Sequence, residues 1–312
     1  MKIDTIKAKR KHHFVWAWHL SNWSTNKRDL YYLTSTGKVG YDSVKGLARE
    51  VDFYRASTLT ARQIQIARRT IELSSYESGR EFLLRTLDKW ISIQSLVANA
   101  EASVLPEYRP ELQRAKEALE CNFIEELHSI HELLARKALE KLSNDDLSVL
   151  SDQEMLLPLC LYVGQAAMRT KPLRDGVANA RGATMLSVDS SDFQEAWWFL
   201  SFVYGSNLGQ ALMLSIDTLS LLTAPADCPF IITDHPVVNM HPDWKESLDL
   251  VMPLSPARAL AFCQSGQFQP GPNKLSCKEV DAINRTLAEH SATVFASSEA
   301  QVKQYAKYVS LT

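Results

Sequence analysis

The chain has 312 residues, 46% of them hydrophobic and 22% charged, with a formal net charge of −2. That length and mix suit an ordinary globular protein with a sizeable core, built as one large domain or two closely packed ones. A charge so near neutrality excludes whole-molecule electrostatics as a guide to partners, so a reader of nucleic acid or anionic membrane would need a local basic patch.

The chain opens on one such patch. Lys2, Lys7, Lys9, Arg10 and Lys11 stand against Asp4 alone, and a solvated tail is the common meaning of so short a run. His12 and His13 follow, ahead of the Trp-rich segment Phe14-Val15-Trp16-Ala17-Trp18-His19-Leu20. Histidine changes charge near neutral pH, so this pair suits a metal, a proton or a phosphate. No apolar h-region follows the basic residues in the manner of a secretory signal.

Asp29–Leu33 and Lys38–Tyr41 are β-prone runs joined by Thr34-Ser35-Thr36-Gly37, a meander leading to Glu50–Tyr54. From Thr60 the period turns helical. Ile64, Ala67 and Ile71, then Phe82, Leu83, Leu87, Trp90, Ile91 and Leu96, predict long amphipathic helices to about Ala102, closed by Leu105-Pro106 and Arg109-Pro110. Another is expected from Glu111 to about Leu142 on the stripe Leu112, Leu119, Phe123, Leu127, Ile130 and Leu134. Ser151-Asp152-Gln153-Glu154 has the spacing of a capping box with Ser151 as the cap, starting a helix to about Lys171 that Pro172 stops or kinks.

A helix from Asp192 to about Tyr204 overlaps an uncharged stretch, Ala196 to Ile216, close to bilayer length. Ser201, Gly205, Ser206, Asn207, Gly209 and Gln210 would be costly in lipid. The stretch therefore reads as a buried helix ending near Asn207, with a break at Gly205 to Gly209, and no membrane partner is expected.

The last hundred residues return to strands at Asp217–Leu222, Pro229–Thr233, Leu248–Met252 and Ala259–Cys263, a helix at Lys278–His290, a strand at Thr293–Ala296 and a closing helix at Ala300–Tyr308. The expected fold is a single α+β domain: a β-meander part (1–57), a helical middle (58–216) and a β-rich part with one or two helices (217–312). Each β part is too small to stand alone, so the two should join in one mixed or antiparallel sheet. Cys121, Cys160, Cys228, Cys263 and Cys277 are widely spaced and odd in number. They indicate neither a zinc ribbon nor a disulfide framework and point to a reducing cytoplasm.

Several polar motifs carry two meanings. Glu125-x-x-His128 with His131 has the helical spacing of a di-iron ligand set, but no second Glu-x-x-His accompanies it, so it reads as polar residues beside an apolar stripe. Asp234 directly follows an apolar strand, at a rim where ligands are met, or else caps a turn before Pro236. Arg169, Lys171 and Arg174 suit a helix C-terminus, or reach an anion bound between the helical and β parts. Arg285 and His290 have a spacing similar to that of HEPN ribonucleases, an alternative route to RNA cleavage without metal. The sequence has no Gly-rich phosphate loop, Gly-x-Ser-x-Gly elbow or His-Glu-x-x-His site.

In order along the chain stand the His12-His13 start, Glu50-x-x-Phe53-Tyr54, the Glu77 helix, Arg169-Thr170 with Pro172 and Arg174, Thr233-Asp234-x-Pro236-Val237 and Pro253-Leu254-Ser255-Pro256. In that order, over nearly its whole length, the chain resembles the DUF4238 family of bacterial proteins of unknown function. The family usually has Ser where Thr233 stands, and often Pro and Tyr near Trp16 and His19. The resemblance implies no activity; it selects His12, His13, Glu50, Glu77, Asp234, Arg169 and Arg174.

These residue types suit phosphodiester hydrolysis, with His12, His13, Glu50, Glu77 and Asp234 catalytic and Arg169 and Arg174 binding substrate. The expected protein is a cytoplasmic phosphodiesterase or nuclease of a defence or toxin type. It would work with a divalent metal ion or through histidine alone, on nucleic acid or a nucleotide. The alternative is a non-catalytic binding or sensing module with a buried polar network.

Overall fold

A computed structural model describes residues 7–179, 190–243 and 246–309; Lys2 and Asp4 of the basic run lie outside the described residues. In chain order the elements are β1 (Lys11–His13), α1 (Ala17–Leu20), β2 (Asp29–Leu33), β3 (Val39–Ser43) and β4 (Arg49–Val51). The helical middle follows as α2 (Ala61–Glu72), α3 (Glu77–Ser103), α4 (Arg109–Ser143), α5 (Gln153–Met168), α6 (Lys171–Asn179), α7 (Ser190–Glu195) and α8 (Trp197–Leu214). The C-terminal part holds β5 (Leu219–Thr223), β6 (Ile232–Thr233), β7 (Val238–Asn239), β8 (Asp249–Ser255), β9 (Arg258–Cys263), β10 (Gly271–Lys274), α9 (Cys277–Glu289), β11 (Val294–Ala296) and α10 (Glu299–Ala306).

This is the α+β arrangement with a helical middle. The two ends of the chain meet in a four-stranded sheet, ordered β3-β2-β11-β6. The single sheet expected is divided, however: most of the C-terminal strands form a second sheet, β10-β5-β9-β8-β7, and β1 pairs with β4 alone. The β2–β3 turn puts Gly37 at φ +75°, a left-handed conformation that a Cβ would strain.

Three packed layers of side chains hold these parts. Trp23, Leu30, Tyr54, Ile71, Leu87, Trp198 and Phe202 join the N-terminal segment to α2, α3 and α8. Leu139, Leu159, Val163, Leu221, Leu260 and Phe262 join α4 and α5 to the five-stranded sheet. Val280, Ile283, Leu287 and Val302 cover the other side of the strands with α9 and α10. The Trp23 indole also donates to the Phe230 carbonyl at 2.8 Å, tying the first segment to the last third of the chain.

Three local expectations are corrected. The cap of α5 is Asp152, whose side chain accepts from the Glu154 N–H, while Ser151 ends a 3-10 turn. Pro172 starts α6 rather than stopping α5, since a first-turn position needs no N–H donor; the break falls at Arg169–Thr170. α8 runs unbroken through Gly205 and Gly209 to Leu214. A Cβ on Gly164 of α5 would lie 2.2 Å from the Gly205 carbonyl oxygen and 2.5 Å from the Gly209 nitrogen. The glycines therefore mark a close helix crossing. Among the described residues no helix is long and apolar enough to cross a membrane.

The cysteine expectation is also corrected: Cys228 and Cys277 form a disulfide across a 49-residue separation that local spacing could not pair, so the cysteine count does not argue for a reducing compartment. Cys121, Cys160 and Cys263 are free and buried.

Candidate functional site

Strand alternation turns His12 into the protein and His13 the other way. β1 sits opposite β4 with His12 across from Glu50 and His13 across from Arg49. His12 is wholly buried, and its Nδ1 accepts the Tyr54 backbone N–H at 2.8 Å, which leaves the proton on Nε2. That Nε2 makes no well-formed hydrogen bond, although the Cys121 carbonyl is near enough to favour the charged ring. Burial outweighs it and lowers the His12 pKa. Burial lowers His13 too, aided by the charges of Arg49 and Arg169, while its Nε2 lies 3.3 Å from the Lys45 carbonyl.

Behind the histidines stands one face of α4. Glu125, His128 and Glu132 are spaced i, i+3, i+7 and so share that face, with His131 alongside. Both His128 ring nitrogens, and Nδ1 of His131, are buried without a hydrogen-bond partner among the described residues. Burial first, then the Arg169 charge, pushes His128 well below its usual range and His131 down to about 4. Glu125 is driven up to about 7 by burial, with Glu132 adding to the rise and Arg169 opposing it.

Arg169 is the hub. It caps the C-terminus of α5, is 2% exposed, and its Nη1 meets the Glu132 carboxylate at 2.7 Å. Burial alone would lower its pKa; Glu132 outweighs that and keeps the guanidinium charged. Its carbonyl accepts the Tyr54 hydroxyl at 3.2 Å, while its Nε is buried without a partner. A buried charge of this kind is held only because it is paired.

The rim is more open. Glu50 meets Arg174 at 2.7 Å and Lys171 at 3.5 Å, and the Arg174 guanidinium lies over the Phe53 ring at 4.4 Å. Burial would raise the Glu50 carboxyl, but Arg174 and Lys171 overcome it and hold the group below its usual range.

Five of the selected residues, His12, His13, Glu50, Arg169 and Arg174, thus gather around β1, β4 and the α5–α6 junction. Glu77 does not join them, and Asp234, though near enough to feel the Lys171 charge, spends its carboxylate on the backbone. The Asp234 carboxylate accepts the Ala292 and Thr293 N–H groups at 3.0 and 3.1 Å, so it clamps the entry to β11. Burial raises its pKa to about 6. Its neighbour His235, given no shared role by the resemblance, bonds Thr170 through Nδ1 at 2.8 Å. Glu77 is exposed at the start of α3, where nearby Gly79 faces Gln210 near the far end of α8. Gly209 packs on Leu161, eight residues before Arg169 in α5, which separates that end from the hub by about 12 Å of helix.

The residues that sequence reasoning set aside are Glu125, His128 and His131, and those it passed over are Tyr54 and Glu132. Their signal was the Glu-x-x-His spacing, dismissed for want of a second copy. The face is completed by α5 and β1 instead. Among the described residues the three-ligand group with donor atoms within 4.8 Å is Asp227, Cys228 and Cys277, two of which are the disulfide. Arg285 pairs with Asp281 at 2.7 Å and lies over Tyr308, and His290 bonds its own helix at the Thr286 carbonyl; both act locally.

His19 is a strut rather than a site residue. Its Nε2–H donates to the Pro253 carbonyl at 2.8 Å and its Nδ1 accepts the Tyr162 hydroxyl at 2.7 Å. Burial lowers its pKa to about 4. Below pH 6.5 the unfolded chain takes up a proton that the folded chain refuses, so stability falls with pH until about 4. This one group contributes roughly 3 kcal/mol to that fall. The raised carboxyls of Asp234 and Glu125 act in the opposite sense, favouring the fold as pH drops. Urea unfolding at pH 7 and pH 4.5 should show a smaller stability difference for His19→Gln than for the parent; an unchanged difference would leave His19 out of the acid response.

The chain matches no family model, no curated protein and no solved structure.

Proposed function

We propose that the chain is a phosphodiesterase acting on nucleic acid or a nucleotide through histidine, carboxyl and arginine groups, and that it is kin to the DUF4238 family. The observation that supports this is the meeting of His12 and His13 from β1, Glu125 and His128 from α4, and Arg169 and Arg174 from the α5–α6 junction, with ring and guanidinium nitrogens left unpartnered inside it. Buried polar groups in native proteins are almost always paired, so such a concentration marks a place that takes a polar ligand or ordered water.

In this reading Arg174, with Lys171 at the rim, draws in the phosphate and Arg169 stabilises charge developing on it. Neutral His128, on the same α4 face as Glu125 and with both ring nitrogens unpartnered, accepts the proton of the attacking hydroxyl or water, and Glu125 donates a proton to the leaving oxygen, with His13 at the edge of the cluster. Glu125 fits that task because its carboxyl titrates near neutrality.

Bis(p-nitrophenyl) phosphate, single-stranded RNA and single-stranded DNA, each with and without EDTA, form the assay. Turnover should persist in EDTA and fall by about 10²–10⁴-fold in Glu125→Gln, with loss of the pH dependence near 7. Full activity in a folded Glu125→Gln protein would rule out its part as the acid.

A second reading has its own support. The burial of Arg169 against Glu132 and the use of Asp234 as a backbone clamp suit a non-catalytic polar network. Under it no substrate turns over and Glu125→Gln changes stability alone.

A further inference from the structure

The Cys228–Cys277 disulfide stands apart from the polar cluster. It forms one wall of a cavity of about 470 Å³ between α10 and the start of α9, which Asp227, Gln301 and Gln304 also line. Neither cysteine is buried, whereas Cys121, Cys160 and Cys263 all are. The segment after Cys228 does not depend on the bond. The Pro229 carbonyl accepts the side-chain N–H groups of Asn284 and Gln301 at 3.0 and 2.8 Å. The Phe230 N–H donates to the Pro256 carbonyl at 2.8 Å, and the Ile231 N–H to the Asn284 side-chain oxygen at 3.0 Å. α9 has its own start, a capping box of Ser276 and Glu279. Opening the disulfide therefore leaves both its ends in place, within reach of each other.

That arrangement selects the reagent. A disulfide exchanges when a thiolate reaches one sulfur and the other departs. Cys277 is the first residue of α9, where backbone N–H groups without a helical partner favour a departing thiolate, so attack falls on Cys228. A monothiol joined to Cys228 is expelled again by the Cys277 thiolate held beside it at high effective concentration. A dithiol carries its own second sulfur and completes the exchange. The Asp227 carboxylate, which has no ion pair among the described residues, lies within 4.8 Å of both sulfurs and holds off a reagent that brings further negative charge.

We propose that Cys228–Cys277 is a thiol–disulfide exchange site, opened by a dithiol free of acidic groups and closed by the corresponding cyclic disulfide, with the fold kept throughout. The thiolate of the dithiol attacks the Cys228 sulfur and forms a mixed disulfide. The Cys228–Cys277 bond breaks, and its electron pair passes to Cys277, which takes up a proton. The second thiol loses its proton, attacks the reagent's own linked sulfur and closes the ring, releasing Cys228 as a thiolate that is protonated in turn. The protein gains two electrons and two protons, and the dithiol loses the same.

The test treats the whole native protein, in EDTA, with dihydrolipoamide, dihydrolipoate or mercaptoethanol, followed by alkylation with iodoacetamide and peptide mass mapping. Dihydrolipoamide should open Cys228 and Cys277 together, leave Cys121, Cys160 and Cys263 unalkylated and leave the far-ultraviolet circular dichroism unchanged; lipoamide should close the bond again. Mercaptoethanol should need about tenfold more thiol for the same opening. Dihydrolipoate, the same dithiol with a carboxylate in place of the amide, should act about twofold more slowly, and high salt or Asp227→Asn should remove that gap. Alkylation of the pair before any reductant is added, opening only in urea, or opening that also exposes the three buried cysteines would overturn the proposal. So would equal action of the monothiol, or a gap between the two lipoyl reagents that is absent or that survives Asp227→Asn.

Discussion

Replacing Arg169 with methionine should lower the unfolding free energy by about 3–5 kcal/mol, because it strands a buried carboxylate. Glu132 has a side chain 13% exposed and faces Arg169 at 2.7 Å; without the guanidinium it must either remain charged in an apolar setting or take up a proton. Methionine keeps much of the volume and the packing on Tyr162, so the loss reports the charge rather than a cavity. The double variant Arg169→Met/Glu132→Leu removes both charges and should recover most of the loss, as buried ion pairs replaced by apolar side chains commonly do. Equilibrium urea unfolding of the two variants measures this; a single variant within 1 kcal/mol of the parent would show that the pair contributes little. The double variant also separates stability from chemistry. If it folds and still cleaves phosphodiesters at the parental rate, Arg169 is no part of the catalytic apparatus.

The second large effect belongs to the α5–α8 crossing. Gly164→Leu should cost about 3 kcal/mol or more, since the atoms that its Cβ would meet are backbone and cannot swing aside. Gly205 and Gly209 are the opposing surface, and Gln165 beside Gly164 donates to the Phe202 carbonyl and Ser206 hydroxyl at 2.9 and 3.0 Å. Forcing the helices apart would break those bonds as well. It would also displace the C-terminal end of α5, where Arg169 stands, so activity and thermal midpoint should fall together. Circular dichroism melts and the phosphodiester assay check this; a parental midpoint would show that the crossing can loosen freely.

Much of this architecture was readable from periodicity. The spans of α3, α4 and α9 fall where periodicity put them, and α9 buries its expected face; the α4 stripe is a correction, since Leu119, Ile130 and Leu134 are exposed while Cys121, Ile124, His128, Ala135 and Leu139 are buried. The corrections share a cause of another kind. Gly205 and Gly209 look like a helix break until Gly164, forty-one residues earlier than the first, is seen to need their lack of side chains. Asp234 looks like a residue poised for chemistry until the two N–H groups that it clamps, from Ala292 and Thr293, are in view. Glu125 and His128 look incomplete because their companions come from β1 and α5 rather than from a second copy of the motif. In each case the deciding partner lies dozens of residues or more away in sequence, where local spacing has nothing to say. His12, His13 and Arg169 could be selected by type, but only the pairing of β1 with β4 and the turn at the end of α5 explain why they meet.

α4 divides its residues between two neighbours within a few turns: Asn122, Glu126 and Ile130 face a groove against α3, and Glu125, His128 and Glu132 the polar cluster around Arg169. A helix advances about 100° per residue, so one amino acid inserted near Leu119 would rotate everything after it by that amount. The histidine face would turn away from Arg169 while the apolar residues of the groove swung out of line. Such an insertion removes no functional side chain and lengthens the helix by about 1.5 Å, yet it would disarm both surfaces at once. Substitutions along this helix can be absorbed one position at a time; a change in its length cannot.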